Sequence, residues 1–293
     1  MPTKTASESG IAGGSTSLGS SPSPPSDSTD TRCDPSARLK RQNTVLRPAA
    51  RDDQRMNGAG HADEPIELCA RGDAAWQAVA YATLGAAWTY AEGIAWGRHV
   101  PHRLLLGAIT LHPLPALPEP LAGTVRDSWG ALGPQLGAAR RAERADPWML
   151  RAAGACAAPA VPGLTIQRAG DAELFERIAF LAASGTPPER PGELHPHGSE
   201  NTPGLHLLLA SLDDQPVGSA LALIHDRGLF ISAVAVLAAH RGKGIGTALT
   251  AAAINCAPHR PATLSTSKAG FGIYQQLGFE LVATPLDWKP ADR

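Results

Sequence analysis

Residues 205–236 hold three apolar runs in close succession, and they confine the fold more than any other stretch of the chain. Leu205–Ser211, Val217–Ile224 and Leu229–Val236 are each of strand length, with Asp213-Asp214 between the first two and Asp226-Arg227-Gly228 between the last two. Short polar or glycine-bearing links of this kind reverse the chain tightly, so three antiparallel strands joined by hairpins are expected. Leu164–Arg168 alternates as a further strand, and Asp171 can cap a helix with Leu174, Phe175, Ile178 and Leu181 on one face. Downstream, Arg241–Gly246 opens a helix through Asn255, Ala262–Ser265 is a short strand, Gly270–Leu277 a helix, and Phe279–Ala283 closes the sheet. The expected fold class is α/β, with a mixed, mostly antiparallel central sheet flanked by helices. The proline-rich loop Gly185–Gly204 interrupts this order.

The rest of the chain divides by composition. Residues 1–60 read as a disordered Ser/Pro-rich tail: Ser15–Thr31 holds a single large apolar residue, Leu18, and cannot offset its ordering entropy by burial. Met56 precedes the first apolar periodicity and is a candidate start of the natural protein. Residues 61–160 form an N-terminal lobe of mixed pattern, and 161–293 a second domain. In the lobe, Asp73–Thr89 has helical spacing, Leu104–Leu111 suits a buried strand, Arg126–Arg144 a helix interrupted near Pro134, and Asp146–Arg151 an extended piece with Trp148. No internal repeat links the two halves convincingly.

The net charge of −1 gives no general attraction to nucleic acid or anionic lipid. Arg38–Arg55 is locally basic, but Asp52 and Asp53 dilute it and no aromatic residue is interleaved, which is the pattern of a solvated tail. The four cysteines form no CxxC pair, so no zinc or other metal site is expected. With no signal-peptide core and no 18-residue apolar run, the expectation is a cytoplasmic protein without membrane or nucleic-acid partners.

Arg241-Gly242-Lys243-Gly244-Ile245-Gly246-Thr247 follows an apolar strand and opens an apolar helix. Glycines there free successive backbone N–H groups to surround an anion at a positive helix end, and a pyrophosphate is the natural ligand. The spacing is not that of a Walker A loop, and Thr247 replaces the last glycine of a dinucleotide fingerprint. No Asp or Glu occurs between Asp226 and Glu280, whereas Arg241, Lys243, Arg260 and Lys268 do. A polyanion is therefore favoured over a ribose that needs a carboxylate partner.

The loop resembles the R/Q-x-x-G-x-G/A motif of the GNAT superfamily of N-acetyltransferases, with Val234 and Val236 at the aliphatic positions of the preceding strand. Leu264–Ser267, Gly270 and Tyr274-Gln275-Gln276-Leu277-Gly278-Phe279 resemble its second signature, which ends Y-x-x-L-G-F. Ala238 and Ala239 depart from the usual Pro and Glu. The similarity covers roughly Pro162 to Trp288, and Trp88–Tyr90, Trp96 and Asp146–Trp148 give the lobe a fainter likeness to a degenerate half of the same kind.

What this resemblance implies is an acyl-CoA-dependent N-acyltransferase, with acetyl-CoA or another acyl-CoA as co-substrate and an amine on a small molecule or peptide as acceptor. Val234, Val236, Arg241, Gly242, Lys243, Gly244, Ile245, Gly246, Thr247 and Ser267 would bind the cofactor. Tyr274 would be the general acid for the departing thiolate, although a packed aromatic explains it too. Ser267 suits either the pantetheine arm or a helix cap. The general base is open, since no carboxylate lies on Leu229–Val236; Glu193, His195, His197, Asp226 or a water chain could serve. The alternative is a non-catalytic acyl-CoA sensor or interaction module.

Overall fold

The computed structural model describes residues 64–98, 102–114, 117, 121–137 and 139–290. The tail, the basic segment Arg38–Arg55 and the Met56 start lie outside the described residues. Helix α1 (Glu64–Thr83) begins at Glu64 rather than Asp73. Glu64 and Glu67 complement its positive end, and Pro65 stands in the first turn, where a missing N–H costs nothing. Gly85, at a left-handed φ of 70°, follows its last turn.

Strands β1 (Trp88–Ala91), β2 (Ile94–Gly97), β3 (Ala108–Thr110) and β4 (Val125–Asp127) follow. The expected helix over Arg126–Arg144 is replaced by β4, the single-turn helix α2 (Gly133–Leu136) and strand β5 (Arg140–Arg144). The reason is local. Glycines 130, 133 and 137 with Pro134 deny the stretch a continuous helix, and the Asp127 carboxylate takes the N–H groups of Ala131 and Leu132 at 3.2 and 2.8 Å, fixing a turn. Strand β6 (Trp148–Arg151) is the extended piece expected around Trp148.

The second half follows the sequence closely. It comprises β7 (Leu164–Arg168), α3 (Ala172–Ser184), β8 (Leu205–Leu212), β9 (Gln215–Ile224), β10 (Leu229–Val236), α4 (Ile245–Ile254), β11 (Ala262–Ser265), α5 (Phe271–Gln276), β12 (Glu280–Ala283) and β13 (Leu286–Pro290). Asp171 caps α3 as expected, accepting the N–H groups of Glu173 and Leu174, a contribution of about 1 kcal/mol. Phe175 and Ile178 bury that helix's apolar face at roughly 1.5–3 kcal/mol each. Asp213 and Asp214 both adopt positive φ, as a two-residue hairpin turn requires.

Two sheets result, ordered β1-β2-β3-β4-β13-β5 and β12-β6-β11-β10-β9-β8-β7. Both are mostly antiparallel, each with one parallel pair, β3/β4 and β10/β11. The class is thus mixed α/β. The sheets exchange strands: β13 lies between β4 and β5 of the first, and β6 between β11 and β12 of the second. In each case a parallel pair is followed by the inserted strand and a final strand, both antiparallel. The halves therefore repeat one connectivity and complete each other's sheet, and the division expected at residues 160 and 161 falls in the link between β6 and β7.

Buried charge pins the exchange. Arg126 on β4 donates through Nε and Nη2 to both Asp287 oxygens on β13 (2.8 and 2.7 Å) and through Nη1 to Asp73 on α1 at 2.5 Å. Next to it, the Trp288 indole N–H reaches Asp127 at 3.4 Å. Trp148 on β6 is buried against Cys69, Ala70 and Ala74 of α1 and Ala95 and Ile109 of the first sheet, so α1 is the wedge between the sheets.

On β10 alternate residues face opposite cores. Leu229 and Ile231 pack with α4 and α5, whereas Phe230 packs with Phe175 of α3 and with Trp76 and Val79 of α1. Gly72, inside α1, permits the close approach: a Cβ there would lie 2.7 Å from Thr263 Oγ1 and 3.1 Å from the Phe230 ring.

Candidate active site

The sheet opens at the end of β10. Its parallel pairing with β11 runs from Leu229/Ala262 to Ile231/Leu264 and stops, leaving residues 232–236 with no ladder partner on that side. On the other side the β9 register slips between Ser232 and Ala235, which is a β-bulge. Ala233 takes a φ of 50°, rare for a residue with a side chain. Its carbonyl accepts the Ser219 hydroxyl at 2.9 Å. Gly218 makes room for the bulge, since a Cβ would stand 2.8 Å from the Ala235 carbonyl oxygen. Val234 and Val236 are half-buried against the α4 core.

The chain then passes a 3-10 turn (Ala238–His240) into the glycine loop. Gly242 and Gly244 have φ of 77° and 80°, both left-handed, and a Cβ would meet nothing within 4 Å at Gly242 and only Val161 at 3.5 Å at Gly244. Gly244 caps α4 with no side-chain hydrogen bond, and no acidic residue stands in the first turn. A positive helix end with open space before it is thus left to a ligand. Gly246 differs from the other two. It lies within α4 at an ordinary helical φ, and a Cβ would touch Ile273 and Val236 at 3.8 Å, so a side chain there meets ordinary contact and no backbone strain.

The side chains of the loop divide in two. Arg241 is engaged by the protein itself: Nε–H donates to the Val236 carbonyl at 3.0 Å and Nη2 to the Ala182 carbonyl of α3 at 2.7 Å. It braces the loop against β10 and the last turn of α3. Lys243 is exposed, Ile245 is buried and Thr247 is half-buried.

Tyr274 is 8 % exposed and packs edge-on against Phe279, with ring centroids 5.9 Å apart. A Cβ at Gly270 would lie 2.8 Å from its ring, so that glycine admits the tyrosine. Burial pushes its phenol up to about 12, which keeps the hydroxyl protonated. The Ser267 hydroxyl accepts from the Gly270 N–H at 3.4 Å and its carbonyl from Gly270 and Phe271 at 3.1 and 3.2 Å, a turn leading into α5.

The four residues considered as bases are not brought together. Asp226 is in the turn before β10, at the opposite end of that strand from the bulge, paired with His225 at 3.1 Å. His197 is exposed, and Glu193 faces Arg190 at 3.7 Å. His195 is buried, its Nδ1 3.2 Å from Glu176 Oε2 on α3. Glu176 was missed by sequence reasoning. The signal was its place four residues after Ala172 on the apolar stripe of α3, where a carboxylate is out of pattern. Among the described residues no group of three or more His, Cys, Asp or Glu side chains is placed to hold a metal ion, and no helix is long and apolar enough to cross a membrane.

Residues 174–279 match the model of the acetyltransferase (GNAT) family, and the C-terminal half accordingly carries a GNAT domain. One solved structure supports the fold. A GCN5-related N-acetyltransferase from Kribbella flavida aligns with a TM-score of 0.55 at 19% identity, over 77% of this chain and 96% of that one. One from Sphaerobacter thermophilus aligns at 24% identity over 57% and 59%, TM-score 0.44. A GCN5-related N-acetyltransferase-like protein from Streptococcus suis aligns at 12% identity over 78% and 99%, TM-score 0.44. No curated protein matches significantly. Family and fold together support an acyltransferase role.

Proposed function

We propose that this chain transfers an acyl group, an acetyl group in the first instance, from CoA to an amine on a small molecule or peptide. The observation that carries the reading is the adjacency of two open backbone surfaces: the unpaired edge of β10 after Ile231 and the uncapped start of α4. The first suits the amides of a pantetheine arm and the second a pyrophosphate. Gly242, Gly244 and the first-turn N–H groups of Ile245, Gly246 and Thr247 would hold the phosphates, with the exposed Lys243 adding a cation beside them. Arg241 supports this site from behind. Val234 and Val236 would line the arm, and Ser267 serves the turn before α5.

When the acyl-CoA is bound, its thioester supplies the activated carbonyl. Backbone N–H groups near Val234 and Val236 would donate to the oxyanion that forms on amine attack, an effect worth about 3–4 kcal/mol in other acyl-transfer sites. Tyr274 is the donor for the departing sulfur. A phenol near 12 is a much weaker acid than a thiol near 8.5, so it stabilises developing thiolate charge through its hydrogen bond more than by outright transfer.

A second reading has one observation of its own. Strand β10 carries no carboxylate or histidine over Leu229–Val236, which suits acyl-CoA binding without turnover. Release of free CoA thiol from acetyl-CoA in the presence of primary amines decides between them. Thiol release that depends on the amine supports transfer, whereas tight acetyl-CoA binding with no release supports the sensor.

A further inference from the structure

If acyl transfer takes place at the β10/β11 opening, as proposed above, the amine must arrive from the face opposite α4, because the glycine loop and α4 occupy the other. That face is roofed by α1, α3 and the 185–204 loop. Phe175 of α3 packs there with Phe230 and Ala233 of β10, the latter being the bulge residue. The edge of Phe175 meets the His195 ring at a centroid distance of 5.3 Å. His195 thus stands one aromatic ring away from the bulge cluster.

Its surroundings are unusual for a loop histidine. Glu176 is 1 % exposed. Its Oε2 accepts the backbone N–H groups of His195 (2.7 Å) and Leu194 (3.1 Å) and faces His195 Nδ1 at 3.2 Å, while Oε1 is buried with no partner. A buried, half-satisfied carboxylate is costly, and holding the loop would need no ionisable group. The carboxylate on Nδ1 selects the tautomer whose proton sits there, which leaves Nε2 with its lone pair. Nε2 has no protein partner among the described residues.

We propose that His195 is the general base of the acyl transfer and that Glu176 is the residue that positions it. As the amine nitrogen bonds to the thioester carbonyl carbon, His195 Nε2 takes the proton that nitrogen loses through a bridging water, since the Phe175 ring stands between. The carbon–sulfur bond then breaks, the thiolate is neutralised through the Tyr274 hydroxyl and solvent, and the imidazolium returns its proton to water. Glu176 stabilises the imidazolium in between, without itself becoming protonated. Glu176 of α3, Glu193 and Arg190 of the loop and Arg103 all act on His102 in the segment before β3, and these are the charged groups of this corner; α1 meets the loop through Ala80 and Tyr81, which are uncharged.

The test uses the full chain, acetyl-CoA, and phenethylamine, spermidine and an alanine-initiated tripeptide as acceptors. His195→Gln should lower kcat about 10²-fold, leave the acetyl-CoA Kd unchanged and abolish the acid limb of the kcat/KM profile. Nitrogen-15 spectra of the parent should show neutral His195 protonated on Nδ1, a readout that survives even if His195→Gln fails to fold, and the same spectra of Glu176→Gln should show the two tautomers mixed, because the ring loses the carboxylate that selects one. Turnover by a folded His195→Gln within twofold of the parent, an unchanged tautomer in Glu176→Gln, or a proton on Nε2 in the parent overturns the assignment alone. A parent that binds acetyl-CoA but acetylates none of the acceptors overturns the acyltransferase reading, and this inference with it.

Discussion

The Ser219 hydroxyl donates to the carbonyl of Ala233 at 2.9 Å, tying the fully buried interior of β9 to the one residue of β10 that adopts a left-handed φ. The bulge that separates β10 from β11 is therefore held from the β9 side by a side chain as well as by the ladder. Ser219→Ala leaves that carbonyl without its donor. We expect a loss of about 1–2 kcal/mol in urea unfolding, and a several-fold weaker acetyl-CoA affinity by calorimetry as the bulge relaxes. An affinity equal to the parent's would show that the bulge holds its shape unaided.

The three glycines of the loop should respond differently. Gly244→Val forces a β-branched residue into φ of 80° beside Val161, and acetyl-CoA affinity should fall more than tenfold. Gly246→Ala adds a methyl at ordinary contact distance inside a helix, so affinity should stay within about threefold and stability should not fall. Equal losses in the two variants would mean that crowding of the phosphates, and not backbone strain, sets the effect.

Tyr274→Phe keeps the packing against Phe279 and removes the hydroxyl. Acetyl-CoA Kd should be unchanged and kcat lower by roughly 10- to 100-fold. The raised phenol has a thermodynamic signature as well. Its proton is held more tightly folded than unfolded, so its stabilising share is complete below about 10 and lost as pH climbs through about 12. Denaturation midpoints between those values should fall more steeply for the parent than for Tyr274→Phe.

Arg126 is the sole cation in hydrogen-bond contact with Asp73 and Asp287 among the described residues. Arg126→Met should leave two carboxylates facing one another in the interior and destabilise the chain by about 3–5 kcal/mol. Adding Asp73→Asn and Asp287→Asn should recover a large part of that loss. A thermal melt of the single and triple variants checks both.

Strand exchange predicts that neither half is a folding unit. A polypeptide of residues 161–290 lacks β6 and leaves a gap between β11 and β12, and one of residues 64–160 lacks β13 between β4 and β5. Each should be molten by circular dichroism, and mixing the two should restore a cooperative melt. A cooperative transition in either half alone would contradict this.

The second half of the chain was legible because its strands are long, its turns carry charged or glycine residues, and its helix has an aspartate cap. The first half was not. Its strands are three to five residues long, too short for a period to register, and glycine and proline hide the short helix α2. The repeat was faintly written: Gln135-Leu136-Gly137 and Gln276-Leu277-Gly278 each precede a strand and then an Asp-containing segment ending at Trp148 or Trp288. Pairing by exchange could not be read from it, since a strand's partner in another sheet leaves no local signature. At the site, the glycine loop and Tyr274 were visible as motifs, whereas the bracing of β10 and α3 by the Arg241 side chain was not. The bulge had a trace in Gly218, an isolated glycine in an apolar strand that marks a close backbone approach.

The exchange also sets an order in time. The Arg140 guanidinium on β5 donates to the carbonyl of Trp288 on β13, 148 positions further along the chain. A ribosome adding about 5–20 residues per second needs roughly 7–30 s to cover that interval. Until it has done so, the first sheet stands open between β4 and β5, with backbone edges on both sides of an empty lane. The nascent protein must therefore keep an unfinished sheet unpaired while the second half is made, and its vulnerability to aggregation is concentrated in that window, before either half has been closed by the other.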